Sequence, residues 1–257
     1  MKKLIALSAL AILSAACGPA ANETARNAAP APSPAATTSK PVMTDPQPAT
    51  PAGQPVTQEV EVKFAEKLPD GWTFTDPKKD GPASEMKIAN GRLVLPIPSG
   101  RDLYADNLTA PRVTKAIKGD FQIDTRVKFS PKQDYQGAGL VVFGGKDRYL
   151  RLERAFGGTG GGEGGIRLDV RMEDKYEPLS TPQDIATEAD EVELRLVRKG
   201  KQFSAYWRLN EEAEWREVGQ VELAYGESVE VGLLGCNTGD DIVAEFSFIK
   251  LGPVKSA

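Results

Sequence analysis

Phe121-Gln122-Ile123-Asp124-Thr125-Arg126-Val127-Lys128-Phe129 is the stretch on which the fold turns. Phe121, Ile123, Thr125, Val127 and Phe129 alternate with Gln122, Asp124, Arg126 and Lys128. Successive side chains leave a β-strand on opposite faces, so a period of two puts one set against a core and the other in water. The same scheme recurs downstream. Ile166, Leu168, Val170 and Met172 alternate with Arg167, Asp169 and Arg171, and Val192, Leu194 and Leu196 with Glu193 and Arg195. Phe203, Ala205, Trp207 and Leu209 alternate with Ser204, Tyr206 and Arg208.

Further strands are expected at 72–75, 92–97, 138–143, 149–154, 215–218, 229–234 and 242–251. Turn signals separate nearly all of them, among them Asn90-Gly91, Lys118-Gly119 and Lys199-Gly200. Only 183–189 hints at a helical turn. About a dozen strands with almost no helix predict an all-β fold, a two-sheet antiparallel jelly-roll sandwich.

The N-terminal part is of another kind. Lys2 and Lys3 precede the apolar run 4–13, too short to span a bilayer as a helix, which takes ~20 residues. It reads as a signal peptide over residues 1–17, with Leu13-Ser14-Ala15-Ala16 before Cys17 resembling a lipoprotein cleavage box. Acyl chains on Cys17 would each add ~0.8 kcal/mol per buried CH₂, enough for a permanent membrane anchor. Gly18 after the cysteine carries no aspartate retention signal, which favours the outer membrane of a bacterial cell envelope over the inner one. Residues 18–58 are rich in Ala, Pro, Thr and Ser, with prolines at 30, 32, 34, 41, 46, 48, 51 and 55. Such a stretch buries too little to offset its ordering entropy and reads as a stalk carrying a domain at 59–257.

Composition excludes several chemistries. The chain has no histidine, which removes Ser-His-Asp and Cys-His catalysis and histidine-held zinc or iron. Beyond Cys17 there is one cysteine, Cys236 in the run VGLLGC, so the domain has no internal disulfide and the thiol reads as buried and inert. Without Lys2 and Lys3, 30 basic residues face 36 acidic ones and no basic block stands out, which argues against a nucleic-acid partner.

Several segments together carry a resemblance: Ala110-Pro111 to Gly119-Asp120-Phe121, then Asp134-Tyr135-Gln136-Gly137-Ala138-Gly139-Leu140-Val141-Val142, then Arg148 to Glu153, Val192 to Gly200, and Val231-Gly232-Leu233-Leu234 before Phe246-x-Phe248. From about Leu68 to Leu251 the chain resembles the DUF1349 family, a branch of the concanavalin A-like lectin/glucanase superfamily near which the yeast regulator of enolase falls. Similar domains follow the catalytic module of some xylosidases. The resemblance implies a jelly roll with one convex and one concave sheet, the concave one facing a ligand. Asp102-Leu103-Tyr104 stands where the family has an acid followed by two aromatics.

Rows of arginine and carboxylate on strand faces, with tyrosines near, suit sugar hydroxyls or a uronic carboxylate, because guanidinium binds carboxylate through two parallel bonds and rings cover sugar faces. The candidate contact residues are Tyr149, Arg151, Glu153, Asp106, Asn107 and Arg167. The plainer account of the same rows is a solvated face of cross-strand ion pairs. Glu188-x-Asp190-x-x-Glu193 matches the carboxylate spacing of laminarinase-like glucanases but lies where an acidic loop enters a strand. Gly157 to Gly165 lacks the Gly-Lys-Ser/Thr ending of a phosphate loop and reads as a hairpin loop. Asn237-Thr238-Gly239-Asp240-Asp241 offers oxygens of the kind Ca²⁺ prefers, which turn chemistry alone also explains; no other cofactor or metal is expected. Trp72, Trp207 and Trp215 are expected to pack in the core or against a sheet. The reading is a membrane-anchored, non-catalytic glycan-binding lipoprotein whose partner is a polysaccharide or cell-surface glycan. A carboxylate-dependent glycoside hydrolase or lyase, and a structural envelope protein binding another protein, stand as alternatives.

Overall fold

A computed structural model describes residues 52–78, 80–158 and 162–255. The stretch read as a signal peptide, with Cys17, and most of the stretch read as a stalk lie outside the described residues. Among the described residues there is no helix, and eighteen strands follow in chain order. They are β1 (Gln54–Pro55), β2 (Val60–Lys63), β3 (Thr73–Thr75), β4 (Lys87–Ala89), β5 (Arg92–Ile97), β6 (Leu103–Tyr104), β7 (Asn107–Leu108), β8 (Arg112–Lys118), β9 (Phe121–Lys128), β10 (Gly137–Gly145), β11 (Arg148–Phe156), β12 (Gly164–Met172), β13 (Lys175–Ser180), β14 (Glu191–Lys199), β15 (Gln202–Arg208), β16 (Arg216–Glu222), β17 (Ser228–Cys236) and β18 (Ile242–Gly252).

Two large sheets form an all-β jelly-roll sandwich. The first runs β1-β8-β17-β10-β11-β12-β13 with β3 beside β8; the second runs β16-β15-β14-β9-β18-β5-β4 with β2 beside β18. All pairings are antiparallel except the short parallel contact of β1 with β8, which ties Gln54 and Pro55 to Ile117 and Lys118 within the stretch read as stalk. There Gly53 lies so close over Ile117 that a Cβ would overlap its backbone.

The alternation in β9 does what its period demands. Phe121, Ile123 and Val127 point inward with Val192, Leu194 and Leu196 of β14 and Phe246 of β18, against Leu140, Leu150, Leu152, Ile166, Leu168 and Leu233 of the first sheet. Asn90 and Gly91 close the β4–β5 hairpin with φ of 53° and 73°, the left-handed pair that a two-residue type I′ turn requires. Gly119, also at positive φ, does not close a hairpin: it carries the chain from β8 in the first sheet to β9 in the second.

One expectation is corrected. The stretch 183–189 forms no helix; Asp184 accepts hydrogen bonds from Thr181 N and Oγ1, both at 2.7 Å, which fixes a turn. The chain is then captured by β12 through Ile166 N to Ile185 O, 2.9 Å, and Thr187 N to Gly164 O, 3.0 Å. Of the three tryptophans, Trp215 takes the sheet-packing place and not the core. It lies half-buried on the outer face of the second sheet between Arg195 and Arg208, 4.0 and 4.4 Å from its ring, while Trp72 and Trp207 are buried as expected.

Candidate functional site

Register creates the site. β11 and β12 pair with Arg151 opposite Asp169 and Glu153 opposite Arg167, so each of these four charges meets its opposite. Arg151 donates Nε and Nη2 to the two oxygens of Asp169 at 2.8 and 2.7 Å. Arg167 donates Nε and Nη2 to Glu153 Oε2 at 3.0 and 2.7 Å. The pairs are cross-linked by Arg167 Nε to Asp169 at 3.5 Å and Arg151 Nε to Glu153 at 3.9 Å. Gly137, on the neighbouring strand β10, leaves room: a Cβ there would stand 2.6 Å from Arg167 Nη2.

This quartet faces away from the main core yet is buried, with Glu153 and Asp169 wholly closed off and Arg151 and Arg167 4% and 5% exposed. Loops and β13 cover it. Tyr176 of β13 donates its hydroxyl to Asp169 at 3.2 Å. The β6–β7 hairpin packs Leu103 on Tyr149, Val141, Leu234 and Cys236, a small apolar cluster outside the main core. The fully buried Arg101 anchors that hairpin through Asp76 and the carbonyls of Pro82 and Thr109. The loop bearing Tyr135 is tied by Gln136, which accepts from the backbone of Lys132 and Gln133 and donates to Asn237 Oδ1 at 3.2 Å.

Between these covers a cavity of about 330 Å³ remains. Tyr104, Tyr135 and Tyr176 border it as rings, and Asp102, Arg151 and Arg167 as charged groups. Tyr104 and Tyr176 meet edge to face, centroids 5.2 Å apart at 84°. Asp102 lies 3.5 Å from Arg151 Nη1. Burial holds its carboxyl above the usual carboxylate range, with Arg151 only partly offsetting the effect. Burial also opposes the charge on both arginines, but Asp169 and Glu153 keep them firmly protonated. The phenols of Tyr149 and Tyr176 are pushed up by burial, and the Cys236 thiol, also buried, is pushed well up.

Of the residues singled out in the sequence, Arg151 and Arg167 border the cavity. Glu153 lies beneath Arg167, and Tyr149 supports Arg151 from below, its ring centroid 5.3 Å from the guanidinium carbon. Asp106 and Asn107 stand apart at the hairpin tip. Asp106 pairs with Lys146 at 3.2 Å, and Asn107 donates to Gly100 O at 3.1 Å and accepts from Thr109 at 2.6 Å. Their hairpin neighbours Asp102 and Tyr104 border the cavity instead. Tyr135 and Tyr176 were not foreseen; nothing in the sequence tells a tyrosine at positive φ in a loop, or one on an edge strand, from any other.

Glu193 and Arg195, which alternate outward along 192–196 as Arg167 and Asp169 do along 166–172, belong elsewhere. β14 is in the second sheet, so these residues occupy the opposite side of the molecule from the quartet. There Glu193 is held by Arg126 and Arg208, each at 2.6 Å, and Arg195 by Asp124 at 2.8 Å. Glu188 and Asp190 precede β14 and border a separate depression with Lys132 and Arg154, so the three acids do not share one strand face. In the 237–241 turn the oxygens are engaged internally: Asn237 Oδ1 accepts from Gly239 N, Asp240 Oδ2 from Gln133 and Asp241 Oδ1 from Ser99 N.

A family model described as "Protein of unknown function (DUF1349)" matches residues 100–254. No curated protein matches the chain. Among solved structures, a functionally unknown protein from Saccharomyces cerevisiae aligns at TM-score 0.58 and 14% identity, over 72% of this chain and 98% of its own. The GH43 protein BlXynB of Bacillus licheniformis aligns at 0.61 and 17%, over 74% of this chain and 38% of that one. GH43B of a Bacteroides ovatus xyloglucan locus aligns at 0.59 and 18%, over 79% and 40%. The chain thus spans about two fifths of those glycosidases, and at such identities the likeness is one of fold.

Proposed function

The chain belongs to the DUF1349 family, and from that premise we propose that it is a lipid-anchored, non-catalytic glycan-binding protein of the bacterial cell envelope. The observation that carries the reading is the cavity in which three tyrosines surround two guanidinium groups and a carboxyl. Aromatic faces cover the apolar side of a sugar ring while planar donors and a carboxyl address its hydroxyls. At about 330 Å³ the cavity is near the lower end of ligand pockets, ~300–1,000 Å³, which suits the end of a chain better than its middle.

Glycosidase chemistry asks for two carboxyl groups flanking the scissile bond. Asp102 is the one acid bordering the cavity among the described residues, and Glu153 and Asp169 are locked beneath it in two-pronged ion pairs. That arrangement favours binding over hydrolysis. The signal peptide and Cys17 box support export and anchoring, and the proline-rich segment after them supports a stalk.

The test is a glycan array probed with the full chain and with Tyr104→Ala and Tyr135→Ala. Both tyrosines are nearly half exposed, at 46% and 48%, so their loss leaves the fold standing. Binding by the parent that both variants lose is the expected result; absence of binding, or binding that neither variant disturbs, refutes the proposal.

A further inference from the structure

Each guanidinium of the quartet has two edges for planar recognition. Arg151 and Arg167 both spend the Nε–Nη2 edge on a buried carboxylate, Asp169 and Glu153 respectively, and neither carboxylate borders the cavity. The Nη1 edges are what remains. Arg151 Nη1 has only weak neighbours, Asp102 at 3.5 Å and the Cys236 sulfur at 3.3 Å, and Arg167 Nη1 makes no hydrogen bond among the described residues. The cavity is therefore offered cationic donors whose counter-charges lie underneath.

We infer that the ligand of this cavity carries a carboxylate, the chemistry of a uronic or other acidic sugar, received by the Nη1 edges of Arg151 and Arg167. The inference rests on the glycan reading above and narrows it. Within the quartet two positive and two negative charges cancel, so Asp102 decides the sign of the site. Ionised, it repels an incoming carboxylate; protonated, it adds an O–H donor to the two guanidinium groups. The groups facing Asp102 are Arg151 and Glu153 from β11, Arg167 from β12 and Cys236 from β17, and burial already tilts it toward the protonated form. Binding of the acid then draws a proton onto Asp102, and affinity rises as pH falls while the ligand stays ionised.

Titration calorimetry of the full chain against oligogalacturonides and glucuronic acid-capped xylo-oligosaccharides, each beside its carboxyl-reduced counterpart, tests this. The acid is expected to bind at least tenfold tighter than the reduced form at pH 5, with the ratio shrinking toward pH 8. In Asp102→Asn, which has no proton to gain, the ratio is expected to stay level across that range. Equal or tighter binding of the reduced forms overturns the inference and leaves glycan binding standing. If neither form of any pair binds, the glycan reading falls and this inference with it. A preference that is level with pH in the parent removes the role given to Asp102.

Discussion

Arg151 shows how a residue's position decides what its removal reports. It is paired through two bonds to Asp169 and is 4% exposed. Arg151→Ala leaves Asp169 a buried charge with Tyr176 and the longer contact to Arg167 as partners, a loss that typically costs about 3–5 kcal/mol. Urea unfolding of that variant is expected to show a fall of this size, so lost binding in Arg151→Ala alone would say nothing about ligand contact; a fall under 1 kcal/mol would mean the pair is not closed. Asp102 behaves oppositely. Because its folded-state carboxyl is raised, the folded protein holds the proton more tightly than the unfolded chain. Asp102 therefore subtracts stability as pH rises through its unfolded and then its folded pKa, and subtracts nothing below the ordinary carboxylate range. Asp102→Asn is accordingly expected to raise the melting temperature at pH 7 and to have less effect at pH 3; the reverse order would show that Arg151 outweighs burial.

At the scale of elements, hairpins and strand registers place the site, and glycines at two kinds of position test them. Gly91, second in the type I′ turn at φ 73°, has open space around its missing Cβ. Gly91→Ala meets only backbone strain, so a loss of about 1–2 kcal/mol with unchanged ligand binding is expected from thermal melts and titration. Gly137 sits in the sheet against the quartet, and Gly137→Ala drives a methyl group into the Glu153–Arg167 pair. That variant should lose ligand affinity along with stability, and affinity equal to the parent's would show that the pair moves aside without disturbing the cavity. The YQGAGL segment that carried the family resemblance has here a physical meaning: Tyr135 borders the cavity, Gln136 ties its loop, and Gly137 makes room for the ion pair beneath.

At the scale of the whole molecule, a sandwich with a cavity on one outer face and ion pairs on the other is proposed to hang from a lipid. Cys17→Ser is expected to move the protein from the membrane to the soluble periplasmic fraction on detergent partitioning, and retention in the membrane would end the anchor reading. The class of fold was legible in the amino acids alone, because a two-residue period along β9, β12, β14 and β15 divides each strand into a buried and an outward set without reference to partners. The same alternation put Arg151, Glu153 and Arg167 on the outward faces of their strands, since it assigns each side chain to one face of its own strand. It took long-range contacts to bury these charges, to put Glu193 and Arg195 of β14 on the opposite face, and to close Asp102 and three tyrosines from three separate segments over the quartet. Periodicity reports which way a side chain points from its own strand; which sheet that strand joins, and which loops fold across it, depend on contacts between residues far apart in the chain.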